Sequence, residues 1–274
     1  MKVVYFGSDL FLPCFEYFVN QHEILALYTY HNDEDYFSEY SIRKLAEQNG
    51  IPVHYNSVTT EEVTRFFTEE GCALFFSAEY NRIIPIPANL PQFRGINIHN
   101  SLLPQGRSYY PIEAGMEREL SRTGVTMHKL EPQLDRGAIL AQRSFPITPE
   151  MDSIDIYLHC AENARQMLEE IMRDFDSCWS AAQKQTEKLP YWKRPEDNLL
   201  TLRHEMCRSE ANAVFRKYNS MTQVFLGGRW YYVTALTAGE ASLTQDLFIS
   251  PTLALFSVQD GHLRLHLRSM EGQQ

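Results

Sequence analysis

Along its first hundred residues the chain alternates short apolar runs with stretches whose apolar residues recur at helical spacing. Residues 2–6 (KVVYF) form a β-branched and aromatic run closed by Gly7, and residues 12–19 follow as an amphipathic helix. A second apolar run covers 24–30. After the polar segment 31–35 comes a helical pattern through Ile42, Leu45 and Ala46, which Asn49-Gly50 closes with a left-handed cap. Residues 52–55 predict a third short strand and 61–70 a helix stopped by Gly71. The continuous run 72–77 (CALFFS) predicts a strand covered on both faces. Ile96-Asn97-Ile98-His99 then alternates apolar and polar. Strands alternating with helices predict an α/β fold with an open, mainly parallel, Rossmann-like sheet.

Beyond residue 150 the pattern changes twice. Leu158, Ala161, Leu168, Ile171, Met172 and Phe175 predict one long helix over 152–175, with Asp152 as its N-cap. The charged, proline-containing stretch 184–197 (KQTEKLPYWKRPED) then breaks the periodicity and reads as a linker. Residues 223–226 and 230–234 around Gly227-Gly228 predict a hairpin. Short strands follow at 247–249, 254–258 and 263–267, the last two turning at Asp260-Gly261. The expected organisation is a catalytic domain over 1–183, a linker over 184–199 and a small β-rich, OB-like domain over 200–274.

In an open parallel sheet, ligands sit at the carboxyl ends of the strands. The polar residues just after or within the ends of the apolar runs are Ser8, His31, Ser77, Asn97 and His99. Charge narrows the partners: 274 residues carry a net charge of -10, with no lysine or arginine block, so the footprint of a general nucleic-acid binder is missing. A net-acidic enzyme with a small substrate fits better. Gly7 stands alone after the first strand, so neither GxGxxG nor GxxxxGK[ST] is present. The cluster Asp33-Glu34-Asp35 reads as a solvated loop, and no metal is expected. Five cysteines, an odd number without a CxxC pair, read as reduced packing residues. No apolar run approaches the roughly 18–20 residues of a membrane span, and residues 1–11 do not resemble a signal peptide. The expectation is a soluble, cytoplasmic protein with no membrane partner.

The most informative segment runs from 96 to 137. Asn97 and His99, two residues apart on a strand, share one face and can converge on one small group. Ser101 to Gly106 fits a loop leaving the sheet, and Leu134-Asp135-Arg136-Gly137 puts a carboxylate in a tight turn after the alternating run 125–130. Taken singly, each has an ordinary reading: Asn97 and Asp135 as turn formers, His99 as a satisfied polar residue at a sheet end.

Together, the blocks Asn97-Ile98-His99-Asn100-Ser101-Leu102-Leu103-Pro104, Thr123-Gly124-Val125-Thr126-Met127-His128 and Leu134-Asp135-Arg136-Gly137 resemble the formyltransferases that use 10-formyltetrahydrofolate. The resemblance extends upstream to residues 76–85 (FSAEYNRIIP) and downstream to 193–197, similar to the stretch that leads into that family's C-terminal β-barrel. It implies transfer of a formyl group from 10-formyltetrahydrofolate, as co-substrate, to a primary amine, without a metal. Asn97 and His99 would then donate to the developing oxyanion. Asp135 would orient the imidazole, raise its pKa and help remove the proton of the amine. Tyr80, Arg82, Ile83, Ile84, Leu134, Arg136 and Gly137 would hold the pterin, and His128 would support the site.

The acceptor is read from weaker signals. Residues 29–53 look most like nucleotide-linked amino-sugar formyltransferases; Ser8 and His31, each just after an apolar run, are the candidate substrate contacts there. The loop 105–111 (QGRSYYP) has the same length as theirs but different content, and departs from the methionyl-tRNA branch too. Its Arg107, Tyr109 and Tyr110 are candidate acceptor contacts; the tyrosines could stack on a base or sugar ring, or belong to a surface loop. Residues 200–274 hold seven Lys and Arg against six Asp and Glu, a net of +1, leaving -11 for the rest. A domain gripping tRNA needs a larger surplus, which ranks a nucleotide-linked small amine above tRNA. Another small amine, a formyltetrahydrofolate hydrolase and a folate-binding protein without catalysis stand behind it. The family's sugar enzymes often dimerise, so a homodimer is a further expectation.

Overall fold

Residues 1–31 and 38–270 are described in this computed structural model; the acidic cluster Asp33-Glu34-Asp35 lies outside the described residues. The chain opens with β1 (Lys2–Gly7), α1 (Leu12–Gln21), β2 (Glu23–Tyr28), α2 (Tyr40–Gln48), β3 (Val53–His54), α3 (Thr60–Thr68), β4 (Cys72–Ala78) and β5 (Gly95–His99). A short helix, α4 (Pro111–Glu117), precedes β6 (Arg122–Lys129) and β7 (Ile139–Pro146), and α5 (Ser153–Arg173) and α6 (Phe175–Ala181) follow. The last part comprises α7 (Asp197–Leu200), β8 (Thr201–Leu202), α8 (Arg208–Tyr218), β9 (Gln223–Leu226), β10 (Arg229–Gly239), β11 (Leu247–Ser250), β12 (Leu253–Val258) and β13 (Gly261–Ser269).

Two compact units emerge. The first comprises Met1–Arg107, Arg122–Pro146 and Tyr157–Tyr191; the second comprises Ser108–Ser121, Ile147–Ile156 and Trp192–Gln274. The stretch expected as a linker thus divides between them, with residues through Tyr191 belonging to the first.

The first unit is built on a seven-stranded sheet in the order β3-β2-β1-β4-β5-β6-β7. Its first five strands are parallel, and β6 and β7 add antiparallel. Alternation along β1 sends neighbouring aromatics to opposite faces. Tyr5 meets Phe15 of α1, ring centroids 4.9 Å apart, while Phe6 joins Phe75 and the Val63, Phe66 and Phe67 of α3 in a separate buried cluster. Each such fully buried side chain contributes about 1.5–3 kcal/mol. Because the strand order reverses at β1, with β2 on one side and β4 on the other, the carboxyl ends of β1, β4 and β5 form the topological switch point.

Two caps fix the helices beside that edge. Thr59 and Glu62 close a reciprocal capping box at the start of α3. At α2 the cap is not local: the Asp9 carboxylate, just after β1, accepts the amides of Ser41 at 2.9 Å and Ile42 at 2.7 Å. Asp9→Ala leaves both amides without that acceptor and should cost about 1 kcal/mol. Thermal unfolding should show the loss, with faster amide exchange over 40–48 than over 60–68; unchanged exchange at α2 would rule out this anchoring.

The second unit carries a six-stranded sheet in the order β11-β12-β13-β10-β9-β8, antiparallel except for the β8–β9 pair. Ala254, Phe256 and Val258 of β12 and Leu263, Leu265 and Leu267 of β13 point into its core. Between the core residues of β13, Arg264, His266 and Arg268 face outward. Gly227 and Gly228, with φ of 58° and 83°, make the β9–β10 turn, a conformation that side chains with a Cβ rarely adopt. Among the described residues no helix is long and apolar enough to cross a membrane.

Candidate active site

At the carboxyl end of β5, Asn97 and His99 lie on the same face, two residues apart. Strand β6 runs back beside it, and its register sets His128 directly opposite Asn97. Asn97 Nδ2 stands 3.2 Å from His128 Nε2. The Asp135 carboxylate reaches both rings: its Oδ1 is 3.6 Å from His99 Nδ1 and 3.7 Å from His128 Nε2. The other nitrogens face carbonyls, His99 Nε2 at 2.9 Å from Gly106 O and His128 Nδ1 at 2.9 Å from Lys129 O. Both histidines are buried.

The turn that delivers Asp135 is held from outside it. Asp135 has φ of 54°, in the left-handed region that Asp and Asn tolerate better than most residues. One side-chain amide, Gln185 Nε2, donates to the carbonyls of Asp135 and Gly137, both at 2.9 Å. Gly137 has to lack a side chain, since a Cβ there would stand 1.8 Å from Lys129 O. The loop after β5 is fastened as well. Thr126 Oγ1 donates to Ser101 O at 2.6 Å and accepts from Leu103 N at 3.1 Å, and Gln142 Nε2 donates to Leu103 O at 2.7 Å.

Burial dominates the protonation of His128. It pushes the imidazolium down to about 4, with His99 adding to the effect and Asp135 opposing it, so the ring is neutral at pH 7. His99 places its Nδ1 beside the Asp135 carboxylate and its Nε2 beside the Gly106 carbonyl. The arrangement therefore offers a carboxamide, an imidazole N–H donor and a carboxylate within one hydrogen-bonding neighbourhood, the components of an acyl-transfer site.

The remaining sequence candidates are distributed unevenly. Ile83 and Leu134 are exposed by 72% and 62%, large apolar side chains left uncovered on the first unit, while Ile84 is buried in the core beside which Tyr80 packs. Arg82 donates to the carbonyl of Tyr55, and Arg136 is exposed. His31 stacks on the Tyr55 ring with centroids 4.0 Å apart. Ser8 is fully buried and its Oγ has no hydrogen-bond partner among the described residues. Arg107, also buried, donates through Nη2 to Leu189 O at 2.6 Å, whereas its Nη1 has no hydrogen-bond partner among the described residues. Tyr109 and Tyr110 form an edge-to-face pair in the second unit. Sequence reasoning missed Gln185, Thr126, Gln142 and the Gly106 carbonyl; only Thr126, on the same face of the alternating run as His128, carried a signal.

The family model described as formyl transferase matches residues 31–172, about half of the chain. The chain belongs to the formyl transferase family. A methionyl-tRNA formyltransferase of Anaplasma marginale (strain St. Maries) is 28% identical over 191 residues, which cover 67% of this chain and 64% of that relative. Among solved structures, HypX from Aquifex aeolicus is similar with a TM-score of 0.71 at 16% identity, over 99% of this chain and 45% of HypX. An N-formyltransferase from Helicobacter canadensis, in complex with folinic acid and dTDP-3-aminofucose, is similar with a TM-score of 0.62 at 18% identity, over 97% of this chain and 98% of that one. The formyl transferase family match covers Asn97, His99, His128 and Asp135. The chain thus spans less than two thirds of the curated relative and under half of HypX.

Proposed function

We propose that the chain transfers a formyl group from 10-formyltetrahydrofolate to a primary amine, and that the amine belongs to a nucleotide-linked amino sugar. The observation that carries the reading is the convergence of Asn97, His99 and Asp135 at the carboxyl edge of the sheet. In the transfer the amine nitrogen bonds to the formyl carbon, the carbon–nitrogen bond to the donor breaks, the amine gives up a proton and the departing folate nitrogen takes one up. Donors at Asn97 and at His99 Nε2, whose hydrogen exchanges the Gly106 carbonyl for the formyl oxygen, stabilise that oxygen as it gains charge. Asp135 orients His99 and accepts the proton of the amine, directly or through water.

The folate supplies an activated formyl group, and the chain has residues suited to hold it. Ile83 and Leu134, uncovered as they are, offer apolar contact to a flat ring. Backbone groups around residues 82–84 and 134–137 would hydrogen-bond its edge, with Tyr80 and Ile84 packed behind and Arg136 at the rim. In the first unit, Ser8, His31 and Arg107 are the proposed acceptor contacts. The same reading assigns the protein to one-carbon metabolism in the cytoplasm.

The amino-sugar acceptor draws support from the Helicobacter canadensis enzyme, whose structure holds dTDP-3-aminofucose with folinic acid. A second reading, methionyl-tRNA as acceptor, is favoured by the Anaplasma relative and by the outward row of Arg264, His266 and Arg268 on β13, which the net +1 of that region conceals. A panel of thymidine and uridine diphosphate amino sugars alongside charged methionyl-tRNA, each with 10-formyltetrahydrofolate, separates the two by mass spectrometry of the acceptor. Formylated sugar with untouched tRNA is expected; efficient formylation of methionyl-tRNA would reverse the order.

A further inference from the structure

We propose that His128 is a positioning residue which, as a neutral ring acceptor, fixes the Asn97 carboxamide with its NH2 group turned into the site. The inference rests on the reading of this site as a formyl-transfer centre and goes beyond it by assigning a hydrogen-bond direction to each partner.

The direction follows from the partners. His128 Nδ1 lies 2.9 Å from Lys129 O. A carbonyl oxygen only accepts, so Nδ1 carries the hydrogen. With the ring neutral, Nε2 is then a bare acceptor, 3.2 Å from the Asn97 side chain and 3.7 Å from Asp135 Oδ1. A bare nitrogen cannot pair with a carboxylate, but it can accept from an amide NH2. The Asn97 carboxamide is therefore held with Nδ2, not Oδ1, against His128. One N–H is used there, and the second is left to donate. Asp135, refused by His128, is left to His99 Nδ1 at 3.6 Å.

The opposite tautomer would invert the site. With hydrogen on Nε2, His128 would attract Oδ1 of Asn97 and the carboxylate of Asp135. The carboxamide would then present an acceptor where the transferring oxygen needs a donor, and His99 would lose its partner. The tautomer is locked by the Lys129 carbonyl, and Lys129 is itself held by the hydrogen bond its backbone N–H donates to Ala138 O at 2.9 Å.

Two measurements test this. Two-bond nitrogen–proton NMR on the full chain without ligands, at pH 7, should find His128 with hydrogen on Nδ1 and Nε2 bare; hydrogen on Nε2 overturns the inference. In kinetics, His128→Leu removes the acceptor and should lower kcat by about a hundredfold with KM little changed, the size of a lost oxyanion donor. His128→Gln, whose side-chain oxygen can accept from Asn97, should recover most of that loss. Asn97→Ala/His128→Leu should be no slower than Asn97→Ala alone, since the two residues act as one unit. Equal losses in the Gln and Leu variants, or a double variant slower by the product of both, would sink the positioning role. The NMR measurement requires no turnover, so a wild-type protein that transfers no formyl group would defeat the functional reading while the tautomer still decides the inference.

Discussion

Alanine at Asn97 or at His99 is expected to lower formyl-transfer turnover by about two orders of magnitude or more, while folate binding persists. The magnitude comes from the charge that develops on the formyl oxygen. A donor aimed at that oxygen counts for far more in a buried, low-dielectric site than in water, and its loss falls on kcat because the charge is absent from the ground state. His99 is 6% exposed and His128 2%, so water cannot readily replace either side chain. Asp135→Asn should fall in the same range, because the amide keeps the shape but removes the charge that orients His99. The three residues share partners, so their losses should not add: a double variant at Asn97 and His99 should lie well above the product of the single effects. Rates like wild type in both single variants would remove the assignment.

Gly137→Ala is expected to damage both stability and activity. The added Cβ would stand 1.8 Å from the Lys129 carbonyl oxygen, 2.7 Å from its carbon and 3.3 Å from His128 Nδ1. Real Cβ contacts do not come that close, and here backbone, not a pliant side-chain end, is in the way. Either the Asp135 turn or the end of β6 must move, and overpacking of this kind costs about 1–3 kcal/mol or more. Moving the carbonyl also releases the His128 tautomer, and moving the turn withdraws Asp135 and strains its bonds to Gln185. A lowered melting temperature together with a loss of kcat is the expected result. An unchanged melting temperature with full activity would show that this part of the site yields freely.

What the sequence disclosed of all this follows the strength of local patterns. The strands β1, β2 and β4 were legible because apolar runs end at glycine or polar residues, β5 from its alternation, and α2 and α3 because their stop signals, Gly50 and Gly71, take φ of 66° and 72°. The long α5 was legible from its stripe and from Asp152, whose carboxylate does accept from Asp155 N at 2.8 Å. Helix α4 escaped notice since Pro111 to Met116 are buried all round and show no polar face. Helix α8 buries only Ala211 and Tyr218 and so carries little apolar periodicity. The edge strand β7 alternates weakly, with one buried side chain, Phe145.

The site divides along the same line. The pair Asn97 and His99 was visible because strand geometry alone puts residues two apart on one face. His128 and Asp135 were named only through the resemblance, since His128 arrives by the antiparallel return of β6, and the Gly106 carbonyl and Gln185 were not visible, one being a backbone group in a turn and the other lying fifty residues beyond the turn it holds. Net charge averages over residues 200–274 and does not register the row of Arg264, His266 and Arg268 that the strand alternation gathers on one side.

The most direct measurement follows the formyl carbon itself. The protein is incubated with 10-formyltetrahydrofolate labelled in the formyl carbon and with dTDP-linked 3-amino sugar, and the products are read by mass spectrometry. The account predicts the label on the amine nitrogen with wild-type protein and its near absence with Asn97→Ala. Label recovered as free formate, with none on any amine offered, would contradict it.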